Sequence, residues 1–185
     1  GDPQAVPPAD VALVLVKSTQ TERAAAWAAQ ALAAGGVAVT LQNGLGNREA
    51  LAAIAGDDRV AQGVTSMGAT LLAPGHVAPG GAGSTVLAGP PALRERLADA
   101  ADLLTDAAID ARVTDDIETA VWRKLAVNCG INPVSALLDM PNGRLAEDEA
   151  ARAILTAAAR EVGAVAAARG TPLGADGADL ALEVA

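Results

Sequence analysis

The sequence predicts two parts of different class, an α/β part built on a doubly wound sheet and an all-α part after it, on three observations. "VALVLV" (Val11 to Val16) is a continuous apolar run, the pattern of a strand buried on both faces of a parallel sheet. An Ala-rich helical stretch and a second apolar run, "VAVTLQ" (Val37 to Gln42), follow it and complete a β-α-β unit. From about Asp116 strand-like runs vanish and Ala/Leu-rich helical patterns take over, so the parts divide as 1–115 and 116–185.

Each element has its own reason. "TQTERAAAWAAQALAAGG" offers Thr caps, strong helix formers and a Gly35-Gly36 stop, and reads as one helix. The loop "NGLGN" leads into a helix, "REALAAIAG". "RVAQGVTSMGAT" reads as a third strand with an irregular exit, and "LLAPGHVAPGGAGSTVLAG" as short strands separated by Pro and Gly turns, a hairpin-like addition. The helix "PALRERLADAADLLTDA" and the short strand "DARVT" close the α/β part. Helical patterns then cover 117–132, roughly 147–169 and 176–185, with Pro133 expected to kink or end the first.

Composition narrows the function. Hydrophobic residues make up 51% of the chain with no Phe and no Tyr, so the core must be closely packed small aliphatic side chains. A net charge of −9 with scattered cations opposes a nucleic-acid partner and favours small molecules. Cys129 is the single cysteine, which excludes an intrachain disulfide, and with only His76 beside it there is no zinc set; no structural metal is expected. No run approaches the roughly 20 apolar residues of a membrane span, and the start is not signal-like. A cytoplasmic, soluble protein is the expectation.

The most informative stretch is "WRKLAVNCGINP", where Lys124, Asn128 and Asn132 recur at steps of four and share one helix face. Asn is a poor mid-helix residue, and two of them cost about 1 kcal/mol against Ala, so something should offset that cost. Two readings stand: a solvated face, or a row of hydrogen-bonding groups lining a cleft, with a lysine able to give up a proton.

Other features weigh less. Gly44-Leu45-Gly46 starts like a dinucleotide fingerprint but has Glu49 at the third glycine position, where a carboxylate would oppose pyrophosphate, so it is an Asn-Gly turn rather than a phosphate loop. Lys17, at a strand terminus, is either a solvated end residue or a cation placed for a phosphate or carboxylate. His76 reads as a surface turn residue, Cys129 as a small buried hydrophobe, and Glu22 and Arg23 as a solvated helix face.

"LVLVKSTQT", "LQNGLGN", "GVTSMGAT" and above all "VWRKLAVNCGINPVSALLDMPNGRL" resemble the ketopantoate reductase (2-dehydropantoate 2-reductase) family of the 6-phosphogluconate dehydrogenase-like superfamily. The chain is similar to the middle of a member, after the N-terminal Gly-rich fingerprint and before the C-terminal helices, which in the family bring a serine and a glutamate to the site. The resemblance implies an incomplete Rossmann-like NADP-binding domain followed by a helical substrate domain. It implies NADPH-dependent reduction of 2-dehydropantoate to (R)-pantoate in pantothenate and coenzyme A biosynthesis, and a homodimer as the assembly to test. By motif, Lys124 would be the proton donor, Asn128, Asn132 and Asn142 would bind the keto acid, and Lys17, Asn43 and the main chain of Ala69 would contact the cofactor. Alternatives are a sibling reductase of another 2-oxo or 3-hydroxy acid, since the Lys-Asn pair is shared more widely than the substrate, and a non-catalytic interaction module.

Overall fold

The second strand of the sheet shows why the α/β part folds as it does. In a computed structural model, which describes residues 5–185, β1 (Ala9–Val14), β2 (Leu32–Thr40), β3 (Val60–Thr65), β6 (Ser84–Ala88) and β7 (Asp110–Val113) form one sheet in the order β1-β2-β3-β6-β7. Side chains alternate along β2. Ala38 joins Val14, Ala25, Ala28, Leu51 and Val60 under α1 (Thr21–Ala31) and α2 (Asn47–Ala55), while Val37 and Val39 join Ala61, Leu87, Leu97 and Ala100 under α3 (Arg94–Asp106). The sheet is therefore covered on both faces at β2, whereas β1 is an edge strand that ends at Val14 and leaves Leu13 42% exposed, so the Val11 run is not buried on both faces as its composition predicts. β1, β2 and β3 run parallel, β6 pairs antiparallel to β3, and β7 runs parallel to β6. β4 (Ala69–Ala73) and β5 (His76–Pro79) form a separate antiparallel hairpin, the first part of the expected addition, whereas its last strand, "STVLA", joins the main sheet as β6.

The first helix ends earlier than its composition predicts. α1 stops at Ala31 and Leu32 is already extended, so Gly35 and Gly36 belong to β2 rather than to a helix cap. The β1–β2 register jumps from Ala9↔Leu32 to Val11↔Val37, leaving extra residues in β2 as a bulge. Gly35 takes φ 76° there, and a Cβ on Gly36 would stand 2.7 Å from the Ala9 carbonyl oxygen, so the bulge needs both glycines.

The described residues divide at Ile117/Glu118 into two compact units. The second unit takes in most of α4 (Ile117–Leu138), then α5 (Asn142–Leu145), α6 (Glu149–Ala168) and α7 (Gly177–Leu182). Asp148 and Asp176 cap α6 and α7, accepting from the backbone N–H of Ala151 at 2.8 Å and of Ala178 at 2.9 Å. α4 buries Trp122, Ala126, Gly130, Ile131 and Val134 against Leu155, Ala159, Ala166 and Ala181. It continues through Pro133 for another turn rather than ending there, at the cost of the one amide donor that would have met the Cys129 carbonyl. Among the described residues no helix is long and apolar enough to cross a membrane, and no group of three or more His, Cys, Asp or Glu is placed to hold a metal ion.

Candidate active site

In the α/β unit the three parallel strands deliver three loops to the same sheet edge. Val14 of β1 pairs with Thr40 of β2, so Lys17 and Asn43 each lie three residues past one register pair, just beyond the carboxyl ends of their strands. β3 continues the parallel order, with Gln62 opposite Thr40, and Ala69 follows its carboxyl end at Thr65. The carboxyl edge of parallel strands is where ligands of doubly wound sheets bind. Lys17, Asn43 and Ala69 are all exposed, which leaves the ammonium, the carboxamide and a main chain accessible there.

These loops are tied down by hydrogen bonds. The Gln42 carboxamide nitrogen donates to the Val16 carbonyl at 2.8 Å and to the Thr21 hydroxyl at 2.9 Å, and the Asn47 carboxamide donates to the Asn43 carbonyl at 3.0 Å. Beyond β3, the Ser84 N–H donates to the Ser66 hydroxyl at 2.8 Å and the Gly80 N–H to the Gly68 carbonyl at 2.7 Å, which fixes the approach to Ala69. Gly44 and Gly46, with φ 93° and 82°, have nothing within 4 Å of where a Cβ would sit. That leaves the backbone beside Asn43 open to close approach by a ligand.

In the helical unit the polar stripe lies opposite the packed face of α4. At 100° per residue the buried set Trp122, Ala126, Gly130, Ile131 and Val134 centres roughly half a turn from Lys124, Asn128 and Asn132. The stripe is about 12 Å long at 1.5 Å per residue, enough for a small branched acid. Lys124 and Asn128 are half-buried and Asn132 is exposed. Burial pushes the Lys124 ammonium below the ordinary lysine value, because desolvation disfavours its charged form. A lysine so tuned can give up a proton more readily than an exposed one.

Asn142 opens the four-residue helix α5 and is exposed. The turn before it is shaped by Asp139 at φ 48°, by the Ser135 hydroxyl donating to the Met140 carbonyl at 2.7 Å, and by the Met140 N–H donating to the Ser135 carbonyl at 3.1 Å. His76 is exposed at the start of β5, and Cys129 is half-buried rather than fully packed away. Sequence reasoning passed over Gln42, Thr21 and Asn47; the buried polar types Thr21 and Asn47 had no signal beyond a cap and a turn, because their partners are 21 to 26 residues away.

Residues 2–91 match the family model "Ketopantoate reductase PanE/ApbA", and residues 116–184 match "Ketopantoate reductase PanE/ApbA C terminal". A 2-dehydropantoate 2-reductase of Halobacterium salinarum is 37% identical over 188 residues, spanning 100% of this chain and 61% of that protein. One from Archaeoglobus fulgidus is 38% identical over 151 residues, spanning 79% of this chain and 50% of that protein. The crystal structure of 2-dehydropantoate 2-reductase from Geobacter metallireducens superposes with a TM-score of 0.87 at 34% identity, covering 98% of this chain and 61% of that one. The chain thus spans between 50% and 61% of the length of these relatives. With both halves matched by models of one family, and the fold shared with its solved members, the chain belongs to the ketopantoate reductase PanE/ApbA family.

Proposed function

We propose that the protein is an NADPH-dependent 2-dehydropantoate 2-reductase that reduces ketopantoate to (R)-pantoate in pantothenate and coenzyme A biosynthesis. The observation that carries this reading is the α4 stripe, a half-buried lysine with a lowered pKa followed at four-residue steps by two asparagines. Lys124 is the proton donor. Its ammonium stabilises the alkoxide that develops on the ketone oxygen and then protonates it. Asn128, Asn132 and Asn142 hold the carboxylate and hydroxyl of the keto acid through neutral carboxamides, which add no charge of their own beside Lys124.

Lys17, Asn43 and the main chain of Ala69 hold the cofactor. Their common position at the carboxyl ends of β1, β2 and β3, and the open space beside Gly44 and Gly46, fit a dinucleotide lying across the strand ends. When bound, NADPH supplies the hydride to the ketone carbon. The same reading extends to a cytoplasmic homodimer, open to fractionation and sedimentation.

The test is turnover by the complete gene product. Ketopantoate with NADPH should be consumed with a higher kcat/KM than other 2-oxo acids, and Lys124→Met should lower kcat by about 10²- to 10⁴-fold, the usual worth of a general acid. A loss below about threefold would remove Lys124 from the chemistry. A better kcat/KM for a different keto acid would make the enzyme a sibling reductase instead.

A further inference from the structure

A partly buried polar network, its hub half-buried, lies beneath the two loops assigned to the cofactor. Gln42 is its hub. The Val16 carbonyl can only accept, so the Gln42 nitrogen must face it at 2.8 Å, and the second proton of that nitrogen reaches the Thr21 hydroxyl at 2.9 Å. This orientation turns Gln42 Oε1 toward the Thr40 hydroxyl, which donates to it at 3.0 Å. The Thr21 hydroxyl, with one proton to give, stands 2.9 Å from the Ser18 carbonyl oxygen and 3.3 Å from Asn47 Oδ1, and Asn47 in turn donates to the Asn43 carbonyl at 3.0 Å. Thr21, Thr40 and Asn47 are only 3%, 1% and 5% exposed.

The placement of the anchors is informative. Val16 precedes Lys17, and Ser18 and Thr21 follow it, so the network grips the first loop on both sides of the lysine without touching the lysine side chain itself. Asn43 is gripped in the same way through its carbonyl, which leaves its carboxamide outside the network. Buried polar groups in an otherwise aliphatic region are costly unless fully paired, and here the pairing spans two loops that backbone pairing alone does not join beyond Leu41 and Val14.

We infer that Gln42 is a positioning residue: bonded to the Val16 carbonyl and to Thr21, whose one proton is shared between Ser18 and Asn47, it locks the Lys17 and Asn43 loops into one geometry and so prebuilds the edge that receives the dinucleotide. The consequence for binding rests on the cofactor reading above, whereas the coupling of the loops does not. Preorganisation of this kind reduces the ordering cost of binding, so its loss falls on cofactor affinity rather than on chemistry.

The experiment compares the complete protein with its Gln42→Glu, Thr21→Val and Thr21→Ser variants. Gln42→Glu keeps the shape but sets an oxygen against the Val16 carbonyl; Thr21→Val keeps the volume but loses the hydroxyl; Thr21→Ser restores it. Amide hydrogen exchange should accelerate in both 18–20 and 43–47 in the first two variants and return toward wild type in the third. The KM and dissociation constant for NADPH should rise about tenfold, within the range expected for the loss of one hydrogen bond, with kcat and the KM for ketopantoate within about threefold.

Unchanged exchange, or faster exchange in one loop alone, overturns the coupling. NADPH binding that is intact in wild type and equally intact in Gln42→Glu overturns the positioning role while leaving the proposed function standing. Wild-type protein that binds no NADPH defeats the proposed function instead, and the exchange data still decide the coupling. If Gln42→Glu fails to fold, the Thr21→Val and Thr21→Ser pair decides both questions by the same measurements.

Discussion

Replacing Gly130 with valine should destabilise the helical unit by about 2 kcal/mol, because it would force apart a contact between helices for which glycine leaves just enough room. A Cβ at this position would lie 3.0 Å from the Leu155 carbonyl oxygen, 3.3 Å from the Ala181 methyl and 3.4 Å from the Ala159 methyl. None of these neighbours has a rotamer to change, so relief must come from moving α6 or α7. Overpacking a tight core costs about 1–3 kcal/mol, and the two further methyls of valine push toward the upper part of that range. Against it stands a gain of a few tenths of a kcal/mol in helix propensity over glycine. For Gly130→Ala the propensity gain rises to about 1 kcal/mol and the overlap is smaller, so the net change should stay within about 1 kcal/mol of zero.

Gly143 is the control. A Cβ there would have nothing within 4 Å and its φ is not positive, so Gly143→Ala should stabilise by about 0.4–1 kcal/mol through the unfolded chain. Urea unfolding with a constant m-value is the assay. A Gly130→Val loss below about 0.5 kcal/mol, the range of neutral surface changes, would refute the reasoning.

Further predictions concern charge and caps. Because burial lowers the Lys124 pKa below its ordinary 10.5, the fold carries a penalty for the ammonium that is complete below the folded pKa and fades as pH rises through that value toward 10.5. Lys124→Met should therefore be the more stable protein near neutrality, with the gap closing in alkaline urea titrations; a gap that widens with pH would contradict the sign. Asp176 is held below its usual 3.8 by the Ala178 N–H and then by Arg160, so its contribution is present above 3.8 and disappears as pH falls through the lower folded value. Wild type and Asp176→Ala should converge in stability on acidification, and parallel curves would rule this out. Asp148→Ala removes the cap on Ala151 and should cost about 1 kcal/mol in urea unfolding, with no loss counting against the cap.

Legibility of the fold depended on whether a signal was local. The apolar runs at Val11 and Val37 announce parallel strands, and the alternate packing of Val37, Ala38 and Val39 explains the second; the first was read as buried on both faces, but it lies at the sheet edge, where only Val14 is buried. The end of α1 was not legible: "ALAAGG" favours helix by propensity, and only pairing with β1 draws Leu32 and the residues after it into a strand. Pro133 misled similarly, since the packing of Ile131 and Val134 holds α4 together across the missing amide. In the site, the Lys124 stripe shows as a violation of local preference at helical spacing. Gln42 does not, because glutamine near a strand end is ordinary and its significance comes from Val16 and Thr21, contacts made by folding.

The absence of Phe and Tyr has a practical consequence. The chain has two tryptophans and no other fluorescent side chain, and they fall one to each unit: Trp27 on α1 at 39% exposure and Trp122 on α4 at 5%. Their emission should differ in colour, red-shifted from Trp27 in contact with water and blue-shifted from Trp122 inside the helical core. Unlabelled protein thus carries a separate optical reporter for each unit. With Trp27→Phe or Trp122→Phe, one cuvette measurement can tell whether the two units unfold together or in turn.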